Sequence, residues 1–145
     1  MRIAELVKPN ETIVNMFAGV GSFSILIACQ SKVRKVFSID VDPVAVKLMH
    51  ENARLNRVES KLVPILGDAK DIARKRLRNI ADRVIMPLPQ KAFAYLEYAL
   101  IALKSSGGCI HYYDFEHASK TEDPVKKVQM KVEEKLQKFD VSFTV

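Results

Sequence analysis

Residues 15–21 read Asn15-Met16-Phe17-Ala18-Gly19-Val20-Gly21, and Ser22, Phe23 and Ser24 follow. A Gly-x-Gly after an apolar strand turns the backbone tightly, lets a ligand come within contact distance and leaves free N–H groups at the start of the next helix. Ser24 stands where a dinucleotide fingerprint wants Gly or Ala, and Gly-x-Gly alone is also a common structural turn. Asp40 adds a second element, 19 positions after Gly21. A carboxylate at about that offset accepts two hydrogen bonds from a ribose diol and repels a phosphate on the same ribose, which argues against NADP. Gly67-Asp68-Ala69 adds a third, a carboxylate able to accept from an adenine amino group beside an N–H, that of Ala69, able to serve a ring nitrogen. Further on, Met86-Pro87-Leu88-Pro89 fixes the backbone and is expected to leave carbonyls without neighbouring donors, a rigid wall for a planar base. His111-Tyr112-Tyr113-Asp114-Phe115-Glu116 brings aromatic and acidic groups, of which alternation sends some rings to the core.

The elements that must position these residues follow from periodicity. Apolar runs of strand length alternate with stretches of helical period, the pattern of βαβ units and a mainly parallel sheet. The strands are expected at Thr12–Phe17, Lys35–Ile39, Lys61–Leu66, Asp82–Met86 and Cys109–Phe115, and a sixth begins at Val141–Val145. Helices are expected at Gly21–Gln30, Pro43–Leu55 with Asp42 as its cap, Asp71–Arg78, Lys91–Leu103 and Pro124–Phe139. The fold class is therefore α/β, a doubly wound, mainly parallel sheet with helices on both faces, expected to be truncated at its last edge strand. On this reading the glycine loop, Asp40 and Asp68 lie at the carboxyl ends of three consecutive strands, the edge where open α/β sheets bind ligands.

The bulk properties narrow the class. The chain has 145 residues, 48% hydrophobic and 28% charged, which suits one globular domain with a sizeable core. The net charge of +6 favours an anionic partner, and much of it is local, in Lys70, Arg74, Lys75, Arg76, Arg78, Arg83 and Lys91 against Asp71 and Asp82. Cys29 and Cys109 fall inside expected buried elements without a CxxC partner and read as small core residues in a reducing compartment. His50, His111 and His117 match no metal-ligand spacing, so no metal is expected. Apolar runs are short and interrupted by charge, and residues 1–5 have no signal-peptide core, so no membrane segment is expected and the compartment is read as cytoplasmic.

Taken together, the run 16–24, Ile39-Asp40-x-Asp42-Pro43 with Ala45, Glu51-Asn52 and Leu55-Asn56, then Gly67-Asp68-Ala69, Ala81–Met86, Leu88-Pro89-x-Lys91-Ala92 and Ile110–Phe115 resemble one family. It is the catalytic domain of the archaeal and eukaryotic tRNA guanine-37 N1-methyltransferases and their wybutosine-pathway relatives, class I methyltransferases; the similarity runs from Arg2 to about Phe139. The resemblance implies that S-adenosylmethionine is the cofactor and tRNA the partner. It implies that Phe17, Ala18, Gly19, Gly21, Asp40, Val41, Asp68 and Ala69 hold the cofactor, and that Pro87, Leu88 and Pro89 line the guanine pocket. Two residues depart from the family pattern. Asn15 replaces the usual Asp, which removes a charge from any contact to the methionine amino group, and Pro87 replaces the usual Asn, so base recognition must be partly rebuilt. The Pro-Leu-Pro version resembles an archaeal subgroup linked to wyosine derivatives.

The implied reaction is an in-line displacement in which a guanine nitrogen attacks the sulfonium methyl, so the protein must align the two and remove the N1 proton. In the family the base is a glutamate just before the counterpart of Arg2-Ile3-Ala4, with tRNA-binding domains further upstream. The resemblance therefore implies that the general base lies upstream of Met1 and that the chain carries the catalytic core without it or those domains. Asp114 and Glu116 are carboxylates of the right type on the right edge. Three rival readings stand beside methyl transfer: aminocarboxypropyl transfer on the same fold, a cofactor- or RNA-binding module without activity of its own, and an NAD-dependent oxidoreductase. The last lacks the third fingerprint glycine and leaves Asp68 and residues 87–89 unexplained.

Overall fold

Short β-branched runs bounded by turns and capped amphipathic stretches alternate along the chain, and they fold in that order. The computed structural model describes residues 2–145; Met1, ahead of which the general base is expected, lies outside the described residues. The fold comprises α1 (Arg2–Leu6), β1 (Thr12–Asn15), α2 (Ser22–Gln30), β2 (Lys35–Asp40), α3 (Pro43–Leu55), β3 (Leu62–Leu66), α4 (Ala69–Lys75), β4 (Arg83–Met86), α5 (Pro89–Ala102), β5 (Cys109–Tyr112) and α6 (Pro124–Leu136). Three helices begin on an aspartate whose carboxylate accepts from an N–H of the first turn: Asp42 from Val44, Asp68 from Lys70, and Asp123 from Val125. Pro43 and Pro124 follow directly, at a position that needs no N–H.

The five strands form one sheet in the order β3-β2-β1-β4-β5, and every pairing is parallel. Because helices cover both faces, β1 and β4 are buried at every position, the polar Thr12, Asn15 and Arg83 among them. Alternation divides the core between the two faces of the sheet, and Ala28, Val46, Met49, Ala53 and Leu62 make a further cluster against α3. Ile13, Val36 and Ile85 pack with Ile3, Ala4, Ile27 and Val33 of the α1–α2 side. Val14, Ile39, Val84 and Met86 pack with Ala73, Leu96, Ala99 and Leu136 of α4, α5 and α6. The chain runs outward from β1 to β3, then returns to the other side of β1 for β4 and β5, so a crevice opens at the carboxyl ends of β1 and β4.

Several expectations are corrected. Residues 141–145 form no strand: Val141, Phe143 and Val145 alternate as a strand should, but the segment finds no ladder partner and its side chains stay exposed. Cys29 and Cys109 are exposed rather than core residues. The buried stripe of α2 is Ser24, Ile27 and Ala28, and Cys29 falls just outside it; Cys109 is the first residue of the edge strand β5. The basic helix runs from Ala69 to Lys75 rather than from Asp71, because the Asp68 carboxylate caps it at Lys70. The single turn α1 was not legible, being five residues long, yet Ile3 and Ala4 are buried beneath the sheet.

Arg83 leaves the surface patch to which its charge assigns it. It is a buried residue of β4 whose guanidinium donates to both oxygens of Glu11 at 3.0 and 3.1 Å and to the Leu6 carbonyl at 3.0 Å. Its remaining amino group lies 2.8 Å from His111 Nε2, so that nitrogen must be the unprotonated acceptor. Burial first, and the Arg83 cation second, push the imidazole below its ordinary pKa. A depressed folded pKa contributes stability that is complete above the unfolded value of about 6.5 and is lost as pH falls through the folded value. Thermal melting should therefore fall on acidification from pH 7 to pH 5, and His111→Gln, which keeps an acceptor but cannot titrate, should flatten that limb; an identical slope in the variant would exclude His111 as its source.

Candidate nucleoside-binding site

The carboxyl edge of the sheet assembles the residues singled out by spacing. β1 ends at Asn15 and the chain continues through Phe17 into a turn in which Gly19 and Gly21 take φ of +56° and +90°. The two glycines are needed for different reasons. A Cβ on Gly19 would meet no protein atom within 4 Å, so the backbone there faces open space; a Cβ on Gly21 would lie 2.7 Å from Cγ of Met49, so that glycine lets the turn pack on α3.

Asp40, at the end of β2, organises this turn from its neighbour strand. One carboxylate oxygen accepts from Gly19 N at 2.8 Å and the other from Asp42 N at 2.9 Å. The Ala18 N–H reaches the Ile39 carbonyl at 2.9 Å, and the Gly67 N–H reaches the Asp40 carbonyl at 3.0 Å, which ties the loops after β1, β2 and β3 together. A carboxylate offers about four lone-pair sites, so Asp40 keeps two for a ligand after its two backbone bonds.

Beneath the loop lies a second polar layer, fully buried. Asn15 Nδ2 donates to Ser24 Oγ at 3.1 Å, Ser38 Oγ donates to the same oxygen at 2.7 Å, and Asn15 Oδ1 lies 3.4 Å from Phe17 N. Asn15, Ser24 and Ser38 are each 0% exposed. The Asn15 amide is thus turned into the interior, where it links β1 to α2, and does not face the crevice. An uncharged amide suits this place, since it satisfies the serine without burying a carboxylate.

Asp68 stands opposite Asp40 across a hollow of about 90 Å³ lined by Met16, Phe17, Asp40, Val41, Asp68, Ala69, Leu88, Lys91 and Tyr95. This enclosed part is small beside an ordinary ligand pocket of roughly 300–1,000 Å³, and the rest of the crevice is open above Gly19. Tyr95 was not foreseen. Its hydroxyl donates to both oxygens of Asp68 at 3.0 and 3.1 Å, and its ring meets Phe17 edge-on at 5.2 Å and Tyr98 at 5.8 Å. Burial first, and then the Asp68 carboxylate, push the Tyr95 phenol up to about 12, so it remains a donor at any working pH. Lys91, Tyr95 and Tyr98 share one stripe of α5 beside the buried stripe of Ala92, Leu96 and Ala99, a spacing that marks a half-buried face but not the partner it meets.

Of Pro87, Leu88 and Pro89, Leu88 lines the hollow, and the two prolines are not part of its wall. The expected unpartnered carbonyls are only partly realised: Pro89 opens α5, and the Leu88 carbonyl already accepts from Lys91 N and Ala92 N at 3.0 Å. The general base expected upstream of Met1 lies outside the described residues; the two carboxylates that follow β5 are Asp114 and Glu116. Just past the end of β5, Asp114 accepts from three donors. Lys131 lies 2.9 Å from it, and the Tyr112 hydroxyl and Phe115 N donate to it at 2.8 Å. Burial pushes its pKa up, but those three donors outweigh burial and hold it below the usual carboxylate range, which makes it a weak proton acceptor. Glu116 is exposed. Lys75, Arg76 and Arg78 are exposed at the end of α4, and Arg74 pairs with Asp71 and lies 5.9 Å above the Tyr98 ring.

A larger hollow, about 650 Å³, lies at the outer edge of the sheet, between β5, α5, α6 and residues 140–145. It shares none of the loop residues and belongs to a different part of the molecule. No helix among the described residues is long and apolar enough to cross a membrane, and none of their His, Cys, Asp and Glu side chains gather in threes about a metal position.

A five-stranded parallel sheet in this order, with a glycine turn and two acids on its carboxyl edge, defines a class I methyltransferase fold, and solved structures bear this out. The crystal structure of wild-type Trm5b from Pyrococcus abyssi superposes with a TM-score of 0.80 at 39% identity over 98% of this chain and 39% of that one. TYW2 of M. jannaschii, solved in complex with AdoMet, gives 0.76 at 34% identity over 92% of this chain and 59% of that one. Residues 1–142 match the model of the TRM5/TYW2 methyltransferase domain, and the chain belongs to that family. By sequence it is 45% identical over 115 residues to the tRNA (guanine(37)-N(1))-methyltransferase Trm5b of Pyrococcus abyssi, a match over 79% of this chain that spans 32% of that protein.

Proposed function

We propose that this chain is the catalytic domain of a tRNA-modifying enzyme that binds S-adenosylmethionine at the carboxyl edge of β1, β2 and β3 and methylates a guanine-derived position, N1 of guanine 37. The observation that carries the reading is the convergence of Asp40 and Asp68, each with lone pairs left over, on a hollow beside a glycine whose Cβ position is empty. The residues fit the cofactor. Asp40 would accept from the ribose diol, Asp68 from the adenine amino group, Ala69 N–H would serve a ring nitrogen, and Phe17 and Leu88 would flank the base. Gly19, with Ala18, would lie along the ribose and methionine portion, and Val41, 56% exposed beside Asp40, would cover the nucleoside from the solvent side. Bound there, the cofactor supplies an activated carbon on its sulfonium.

The chain's own task is then alignment. The segment Pro87–Pro89 would hold a base splayed out of its stack, as enzymes acting on a nucleobase require. The exposed cations Lys75, Arg76 and Arg78 supply phosphate contacts on the same side of the sheet as α4 and α5. Asp114 does not take the N1 proton, being held by three donors. The reading also draws support from the relatives: one neighbour is the complex of aTrm5 with tRNALeu, and TYW2 was solved with AdoMet.

Aminocarboxypropyl transfer is the second reading, favoured by a 38% identical relative from Methanocaldococcus jannaschii that carries that activity in its name. The product separates the two. Incubation with S-adenosylmethionine and tRNA bearing guanine or 4-demethylwyosine at position 37, followed by nucleoside mass spectrometry, should give the mass of one added methyl. An aminocarboxypropyl adduct would transfer the assignment to the second reading, and the absence of calorimetric binding of S-adenosylmethionine would remove both.

A further inference from the structure

Asp68 has more partners than a helix cap needs. Its Oδ1 accepts from Lys70 N at 3.0 Å, which caps α4, and the Tyr95 hydroxyl adds a donor shared between the two oxygens at 3.0 and 3.1 Å. The hydroxyl comes from another element, 27 residues along the chain, and its ring is fixed by edge contacts with Phe17 on one side and Tyr98 on the other. With the cap alone, the carboxylate could turn about its χ2, a broad and roughly twofold torsion. With the shared hydroxyl it is pinned in one plane. Oδ2 then carries only the shared bond, and its remaining lone-pair capacity is free for a donor in the hollow that Asp68 and Tyr95 both line.

We infer that Tyr95 is the residue that sets purine specificity at this site, by locking Asp68 as an acceptor that takes a 6-amino purine and rejects a 6-oxo purine. The inference rests on the assignment of Asp68 to the adenine amino group. The chemistry is asymmetric: an exocyclic amino group donates to the carboxylate, whereas a carbonyl oxygen in its place faces another acceptor and is repelled. A fixed carboxylate keeps that conflict. A freed one turns its edge away and relieves it, at the cost of the amino contact. Tyr95 acts through Asp68 and is a positioning residue.

The test is calorimetric and needs no turnover. S-Adenosylhomocysteine and its deaminated analogue S-inosylhomocysteine are titrated into the chain and into the variants Tyr95→Phe and Asp68→Ala. Tyr95→Phe keeps the ring contacts with Phe17 and Tyr98 and removes the hydroxyl alone. It should weaken S-adenosylhomocysteine by about fivefold to tenfold, less than the loss of a whole hydrogen bond to a charged group because the amino contact is loosened and not removed, while S-inosylhomocysteine binds as before or better, so that the preference ratio falls. A variant that weakens both ligands equally, or neither, overturns the role of Tyr95, provided Asp68→Ala abolishes the preference. If Asp68→Ala leaves the preference intact, the adenine assignment itself fails and the inference falls with it. Failure of the unaltered chain to bind S-adenosylhomocysteine overturns both.

Discussion

Replacing Asp40 by alanine should weaken S-adenosylmethionine binding by about 100-fold or more. Two hydrogen bonds from a ribose diol to an ionised carboxylate are worth about 1.5–3 kcal/mol each, and each 1.4 kcal/mol is tenfold in affinity. Asp40 also holds the N–H groups of Gly19 and Asp42, so the alanine loosens the glycine turn against which the ligand would lie. Asp40→Asn separates the two effects. Its amide retains one acceptor oxygen, so it can keep one backbone bond but can no longer both hold the turn and receive the diol; it should fall between the native chain and the alanine variant. Calorimetric titration reads the affinity directly, and the thermal midpoint of the unliganded chain guards against loss of fold. Unchanged affinity in Asp40→Ala would remove the ribose contact from this site and with it the ordering of the ligand along the sheet edge.

Replacing Arg83 by methionine should cost about 3–5 kcal/mol of stability, the range for removing one partner of a buried ion pair. The Glu11 side chain is 12% exposed and would be left charged without its partner, while the Leu6 carbonyl and His111 Nε2 would each lose a donor. For a domain of this size that corresponds to a fall in melting temperature on the order of 10 °C. Adding Glu11→Leu removes the stranded charge and should restore part of the loss, but not all of it, because the carbonyl and the imidazole remain unserved. Without the neighbouring cation the His111 imidazole takes up a proton at a higher pH, closer to its unfolded value, so the part of the acid limb that His111 contributes should become shallower in the Arg83→Met chain. Chemical denaturation of the two single variants and the double variant gives the coupling energy. A cost under about 1 kcal/mol for Arg83→Met would mean that the pair is screened rather than buried.

The strands and the two acids were legible because they follow rules with fixed offsets: an apolar run, a glycine turn, and a carboxylate about twenty positions on. What the offsets do not encode is which distant side chain completes each acid. Tyr95 reaches Asp68 only because α5 packs against α4, and no local pattern announces that contact. Arg83 was misread for a related reason. Charge counting treats every arginine as a surface cation, yet a strand with both faces covered has no outer side, and an arginine in it must find acids and carbonyls inside. Cys29 shows the opposite error, a residue inside an apolar helix but one step off its buried stripe. Residues 141–145 alternate as a strand does, but a strand is a property of two segments, and no ladder partner lies beside this one.

The uncharged layer of Asn15, Ser24 and Ser38 has a kinetic consequence. It fastens the start of α2 to β1 and β2 from below, and Asp40 fastens the turn from the side, so the glycine loop is already shaped before any nucleoside arrives. Folding of the loop is therefore not a toll collected at each encounter. On the proposed cofactor reading, arrival at the crevice and not rearrangement within it is expected to set the pace of association, with differences in affinity among ligands expressed in how long they stay.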